Sequence, residues 1–143
     1  MQAYGERDDL KRRLIEAFSA QEEIYRIYLF ESEVESARDT YTDVVLIVCS
    51  NDTARTQAGY VRVLEALSPV RTMLAVRSTP DVYTAIVMLS DYSPYYRINL
   101  TITSAMRDKT WLYKQVYESN TKSRVNRSRL QQMQISQDVA HLV

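Results

Sequence analysis

Apolar residues recur along this chain in two rhythms that divide it into helices and strands. Over residues 6–20, Leu10, Leu14, Ile15 and Phe18 fall on one face of a 3.6-residue period, with Arg12, Arg13 and Glu16 elsewhere. That spacing predicts an amphipathic helix. Residues 24–30 (IYRIYLF) are β-branched and aromatic and predict a strand. Residues 31–42 show no apolar period and predict a loop. Residues 43–49 (DVVLIVC) form a continuous apolar run, the pattern of a central strand covered on both faces. Ser50, Asn51 and Asp52 then offer caps for a helix over residues 52–67. Its apolar positions include Ala54, Ala58, Val61, Leu64 and Leu67, and Ser68-Pro69 ends it.

Residues 70–77 predict a third strand, and Thr79-Pro80-Asp81 interrupts the chain. Pro80 fits the first position of a helix, but the following VYTAIVML is rich in β-branched residues. Asp91-Tyr92-Ser93-Pro94 makes a good turn, so residues 82–90 and 95–103 predict a β-hairpin. The second arm alternates, with Tyr96, Ile98, Leu100 and Ile102 on one side and Arg97, Asn99, Thr101 and Thr103 on the other. The first set should meet the core and the second should line a cleft. Residues 106–119 predict a helix with Leu112 and Val116 on one side. Residues 1–119 thus form the expected domain, and residues 120–143 a polar C-terminal tail. A helix over residues 125–142 is possible there, with Leu130, Met133 and Val139 as sparse apolar points. The order predicts an α+β fold, a two-layer α/β arrangement with a mixed sheet of about five strands and helices packed on one face.

Composition narrows the setting. The chain has 143 residues, enough for one domain with a real core. Eighteen basic and eighteen acidic side chains cancel, so no general field draws it to nucleic acid or an anionic membrane. A neutral surface also favours association with other proteins or with a second copy. The single Cys49 lies in an apolar run and has no partner for an internal disulfide, which predicts a reducing, cytoplasmic setting. No apolar stretch reaches membrane-spanning length, and the polar, charged start carries no secretory pattern. Only Gly5 and Gly59 are glycines, and neither sits in a candidate phosphate loop.

The stretch Phe30–Val48, FESEVESARDTYTDVVLIV, resembles the signature of polymerase-beta-like nucleotidyltransferases, especially the small, minimal type. In that family a strand ends in Gly-Ser, a loop follows, and the next strand opens with Asp-x-Asp. Leu29-Phe30 match the end of the first strand, Ser32 the serine, Asp43 the first aspartate and Leu46-Ile47-Val48 the buried strand. Glu31 stands at the glycine, Ser36 where a second glycine is common, and Val45 at the second aspartate. The third aspartate of the family follows an Arg-Ile pair, and the matching segment here is Arg97-Ile98-Asn99-Leu100. The resemblance covers roughly residues 8–103 and implies a nucleotidyltransferase-like fold.

Nucleotidyl transfer uses divalent cations bound by hard oxygen ligands. Carboxylates at positions i and i+2 of a strand face one way and can bridge a metal pair. The resemblance leaves Asp43 as the main Mg2+ ligand, Asn99 as a weak neutral one and Ser32 as a nucleotide contact. Val45 cannot bind a metal, and Glu31 would repel a triphosphate. Each position also has a plainer reading. Asp43 can simply open a strand, Val45 can be a core valine, Asn99 an exposed polar residue, and Ser32, Glu31, Glu33 and Glu35 a solvated loop. Asp39 or one of those glutamates is a conceivable substitute ligand. His141 is the only histidine, so neither a Cys–His dyad nor a zinc cluster can be built. Arg71, Arg77 and Arg97 could hold an anion or be scattered surface residues. Tyr92, Tyr95 and Tyr96 suit an interface or hairpin packing.

These readings predict a nucleotidyltransferase-fold protein, catalytically inactive or impaired, acting as a binding or regulatory module. Its partner would be an NTP, another protein or its own copy. One alternative is a working Mg2+-dependent nucleotidyltransferase moving a nucleotide from NTP to a small-molecule or protein hydroxyl. The other is an unrelated α/β structural or assembly protein.

Overall fold

Leu10, Leu14 and Phe18 have no exposed surface, and the helix that presents them, α1 (Gln2–Ser19), is the first of two that cover one side of a sheet. The computed structural model describes residues 2–30, 43–93, 96–106 and 113–119, with side chains from Gly5 onward. The remaining elements are β1 (Ile24–Phe30), β2 (Val44–Ser50), α2 (Thr53–Glu65), β3 (Val70–Ser78), β4 (Val82–Leu89), β5 (Ile98–Thr103) and β6 (Tyr113–Glu118). The strands form one mixed sheet in the order β3-β4-β5-β2-β1-β6. β2 runs parallel to β5, and the other neighbours are antiparallel.

The core lies between the helices and one face of the sheet. Alternation places Val44, Leu46 and Val48 of β2 and Ile98, Leu100 and Ile102 of β5 on that face, all fully buried. Ala85, Val87 and Leu89 of β4 and Ile27 and Leu29 of β1 extend it. α1 lies over β1, β2 and β6, and α2 over β2, β3 and β5. Asp52 caps α2 by accepting from the Arg55 backbone N–H at 3.1 Å. No helix among the described residues is long and apolar enough to cross a membrane.

The mixed α+β sheet, the hairpin of β4 with β5 and the inward set Tyr96, Ile98, Leu100 and Ile102 follow the sequence pattern. Three expectations are corrected. First, the sheet has six strands, not about five. The sixth occupies part of the helix predicted over residues 106–119. There, Tyr113–Glu118 pairs with β1, and the Ser119 N–H donates to the Tyr25 carbonyl at 2.9 Å. Tyr113, Val116 and Tyr117 suit a pleated, half-buried surface, and the unpaired edge of β1 decides between two permitted structures. Second, the described helices number two. The possible helix over residues 125–142 falls outside the described residues. Third, α2 buries Thr56, Tyr60 and Leu64, whereas Ala54 and Ala58 are exposed. The stripe runs through Tyr60 because its hydroxyl lies 2.9 Å from both the Tyr83 hydroxyl and Met73 Sδ.

The two faces of the sheet should respond differently to truncation. Leu46→Ala empties a fully buried site and should cost roughly 2–5 kcal/mol. Leu74→Ala, at a position 60% exposed, should stay within about 0.5 kcal/mol. Urea unfolding followed by circular dichroism measures both, and comparable losses would contradict this arrangement.

Candidate functional site

The parallel register of β2 on β5 sets Val45 opposite Asn99. Both are half-buried on the face turned away from the helices. Pairing continues the row outward, from Asn99 to Ile86 on β4 and from Ile86 to Leu74 on β3. The next row runs Ile47, Thr101, Thr84 and Arg77. At the other end, Arg97 Nε donates to Asp43 Oδ1 at 3.1 Å, one step before the strands begin. Asp43, Val45 and Asn99 therefore share one face and one end of the two central strands. β1 and β2 are antiparallel neighbours, so the end of β1 lies beside the start of β2 at this point. Ser32, with Glu31, Glu33, Glu35, Ser36 and Asp39, falls outside the described residues.

As a cage for divalent cations this set is poor. Asn99 is an amide flanked on its row by Val45 and Ile86, two aliphatic side chains without a ligand atom. The Asp43 carboxylate already pairs with Arg97. The Arg7 guanidinium, on a largely buried residue of α1, donates to the Asp43 carbonyl at 3.3 Å. Two arginines thus engage Asp43, the one acidic residue at this point among the described residues. A metal would have to compete with the Arg97 pair while gaining one charged ligand and one neutral one.

Toward the other end of this face lies a small apolar cluster of Tyr28, Ile47 and Cys49, with Tyr25, Met106 and Tyr113 packed on it. The Tyr25 hydroxyl donates to the Ser104 carbonyl. Burial pushes the Cys49 thiol up to about 11, against smaller lowering effects of a Met106 backbone hydrogen bond and of Arg26. A thiol so held is a packing group, not a nucleophile. A cavity of about 400 Å3 opens next to this cluster, lined by Ile47, Arg77, Thr79, Asp81, Thr101 and Met106 among others. The polar side of β5 thus contributes to a cleft at Thr101 and Thr103, while Arg97 and Asn99 do not line it.

Arg77 and Arg97 do not converge. Arg77 shares a row with Thr84 and Thr101, whereas Arg97 precedes Ile98 at the opposite end of β5. Tyr92 is a packing residue at the β4–β5 turn: it accepts from Arg13, and its hydroxyl donates to Asp9 at 3.3 Å. His141 and Tyr95 lie outside the described residues.

A polar cluster that the sequence pattern does not single out lies at the far rim of the helical face. Glu23 is buried, and its carboxylate accepts from the Thr56 hydroxyl at 3.1 Å. Ser50 Oγ sits 2.7 Å from Thr56 Oγ1 and accepts from the Asp52 N–H at 3.0 Å. These bonds run in one direction, from Asp52 N–H through Ser50 and Thr56 to the carboxylate. Arg55 Nε stands 3.7 Å from the other carboxylate oxygen. The cluster borders a cavity of about 500 Å3 lined by Phe18, Glu23, Arg55, Thr56, Tyr60 and Arg62 among others. Its only sequence signal is an acidic pair, Glu22-Glu23, ahead of a strand.

No protein-family model matches the chain, and a search of curated proteins gives no match.

Cys49, Tyr25, Tyr60 and Tyr92 all titrate above their ordinary values, burial being the foremost cause in each. In the unfolded chain they lose protons near 9.0 for the thiol and 10.0 for the phenols. The folded chain holds those protons to higher pH, so through this range it binds more protons than the unfolded chain. Unfolding free energy should fall as pH rises from about 9, and this contribution should be fully present below that. Urea midpoints at about pH 8 and about pH 10 measure it, and Cys49→Ala with Tyr60→Phe should flatten the difference. A midpoint that rises with pH would contradict it.

Proposed function

We propose that this protein is a nucleotidyltransferase-like scaffold that works by binding rather than by catalysis. The observation that supports this reading is the register of β2 on β5. It sets Val45 beside Asn99 on the face that Asp43 shares, and the resemblance matches these three to the family's carboxylate positions. The end of β1 beside the start of β2, just ahead of Asp43, is compatible with the strand–loop–strand signature of the family. Two of the three negative charges are missing, and the third is neutralised by Arg97. Such a site offers a nucleotide hydrogen bonds and arginine charge but little to orient an attacking hydroxyl. A regulatory role follows, in which nucleotide occupancy or the scaffold itself is sensed by a protein partner.

Thermal unfolding with and without each Mg–NTP at millimolar concentration tests the reading. A ligand at about a hundred times its dissociation constant adds about 2.7 kcal/mol, a clear shift in midpoint. Asp43→Ala should abolish that shift. Its cost to the free protein should be under about 1 kcal/mol, because the Arg97 pair is partly exposed. The wild-type chain should transfer no labelled nucleotide to itself or to small acceptors. Transfer that Asp43→Ala removes and Val45→Asp with Asn99→Asp raises would overturn the binding reading in favour of a weakened enzyme. No shift with any nucleotide would leave the protein partner as the ligand.

A further inference from the structure

β3 ends the sheet and pairs on one side only, with β4. It is nine residues long, and all but its first residue are exposed. Met73, Leu74 and Val76 are the large apolar side chains most open to water among the described residues, at 47%, 60% and 51%. Register shifts against β4 at Val70/Thr72 and Ala75/Arg77 interrupt the two ends of β3, and Thr72–Ala75 between them is regularly paired. A regular, apolar, exposed edge is what soluble proteins normally avoid, because unpaired N–H and C=O groups invite another strand. The opposite edge is more polar: β6 exposes Lys114, Gln115 and Glu118, and Glu118 pairs with Arg26.

Charge indicates what the β3 edge accepts. Arg71 and Arg77 bracket the apolar centre, six residues or roughly 20 Å apart along the strand. Neither takes part in the ion pairs formed among the described residues. β3 contains no acidic residue, VRTMLAVRS. Pairing with a second copy would bring two arginines from each strand into a seam without a carboxylate. A two-fold axis at Leu74 would set Arg71 of each copy against Arg77 of the other, and like charges directly opposite are destabilising.

We propose that the free edge of β3 is a docking site for an extended segment of a partner protein. That segment has an apolar centre flanked by acidic residues and adds to the sheet as a seventh strand. Main-chain hydrogen bonds supply affinity, and Leu74, Val76 and the two arginines supply selection. This goes beyond the nucleotide reading and stands on residues remote from Asp43 and Asn99, so either can fail alone.

The test uses two dye-labelled, end-blocked peptides of the length of β3, titrated with the full chain and followed by fluorescence anisotropy. One carries glutamates six positions apart with alternating valine and threonine between them, and the other has lysines in their place. The glutamate peptide should bind with a dissociation constant on the order of micromolar, about tenfold or more tighter than the lysine peptide. Arg71→Glu with Arg77→Glu, both at exposed positions, should reverse that preference while leaving the thermal midpoint and any nucleotide shift unchanged. Absence of binding, equal binding of both peptides, or failure of the double variant to reverse the preference would overturn the proposal. Sedimentation of the wild-type chain as a dimer that Leu74→Asp converts to monomer would overturn it in favour of a second copy.

Discussion

The parallel pairing of β2 with β5 is the constraint on which the rest of the structure depends. It is the one parallel pair among the described strands, and it sits at the centre of the sheet. Each strand gives three fully buried aliphatic side chains to the same core. A slip of one residue in either strand would turn three of these to the open face. Burying each is worth about 1.5–3 kcal/mol, so that slip would cost about 5–9 kcal/mol, comparable to the whole stability of a small domain. The register is therefore fixed by the core alone, and Val45 opposite Asn99 follows from it. Packing on the helical face decides which side chains meet on the other.

Polar groups close the rims of this core and fix α1 in place. Glu6 accepts from the Ser93 N–H at 2.8 Å, and Tyr92 is held between Arg13 and Asp9. Arg7 reaches the start of β2 through the Asp43 carbonyl. At the far rim, the bonds from Ser50 through Thr56 to Glu23 tie the end of β2 to α2 and to the turn before β1. Exposed charge pairs add little, whereas buried hydroxyl–carboxylate bonds are costly to lose. Asp43 belongs to the first of these rims: its backbone and its side chain each engage an arginine, one from α1 and one from the β5 side. Asp43 is thereby a structural tie between α1, β2 and the start of β5.

Much of this was legible in the sequence wherever one face is buried and the other is not. The alternation in Tyr96–Thr103 and the run DVVLIVC each allow one strand register. The helix face in α2 was harder to read, because Tyr60 counts as apolar only when its hydroxyl finds a partner, and Tyr83 and Met73 lie in later strands. β6 was illegible for a related reason. Leu112 and Val116 keep a helical spacing, and only the vacant edge of β1, a property of the assembled sheet, selects extended structure. The Arg97 partner of Asp43 depends on a strand pairing that local pattern does not encode. Glu23 carried only the weak signal of an acidic pair ahead of a strand, since its burial depends on Thr56 and Arg55 of α2 packing beside it.

The contrast between the two sides of the sheet leads to a last point about how function is distributed. The helical face is closed chiefly by aliphatic packing, with polar bonds along its rims. The open face holds an amide between aliphatic neighbours, a hydroxyl pair of Thr84 with Thr101 at 3.0 Å and a packed thiol, none of which requires an unusual environment. β3 differs from both. It is held chiefly by its ladder with β4 and by the contact of Met73 with Tyr60, so little of its own surface is buried. The ends of β3 carry the usual protection of a free edge, with register shifts at Val70/Thr72 and Ala75/Arg77 and an arginine at each. Between them stand three large apolar residues. Met73 contacts Tyr60, whereas Leu74 and Val76 gain little from the isolated fold, and a further strand on this edge would cover them.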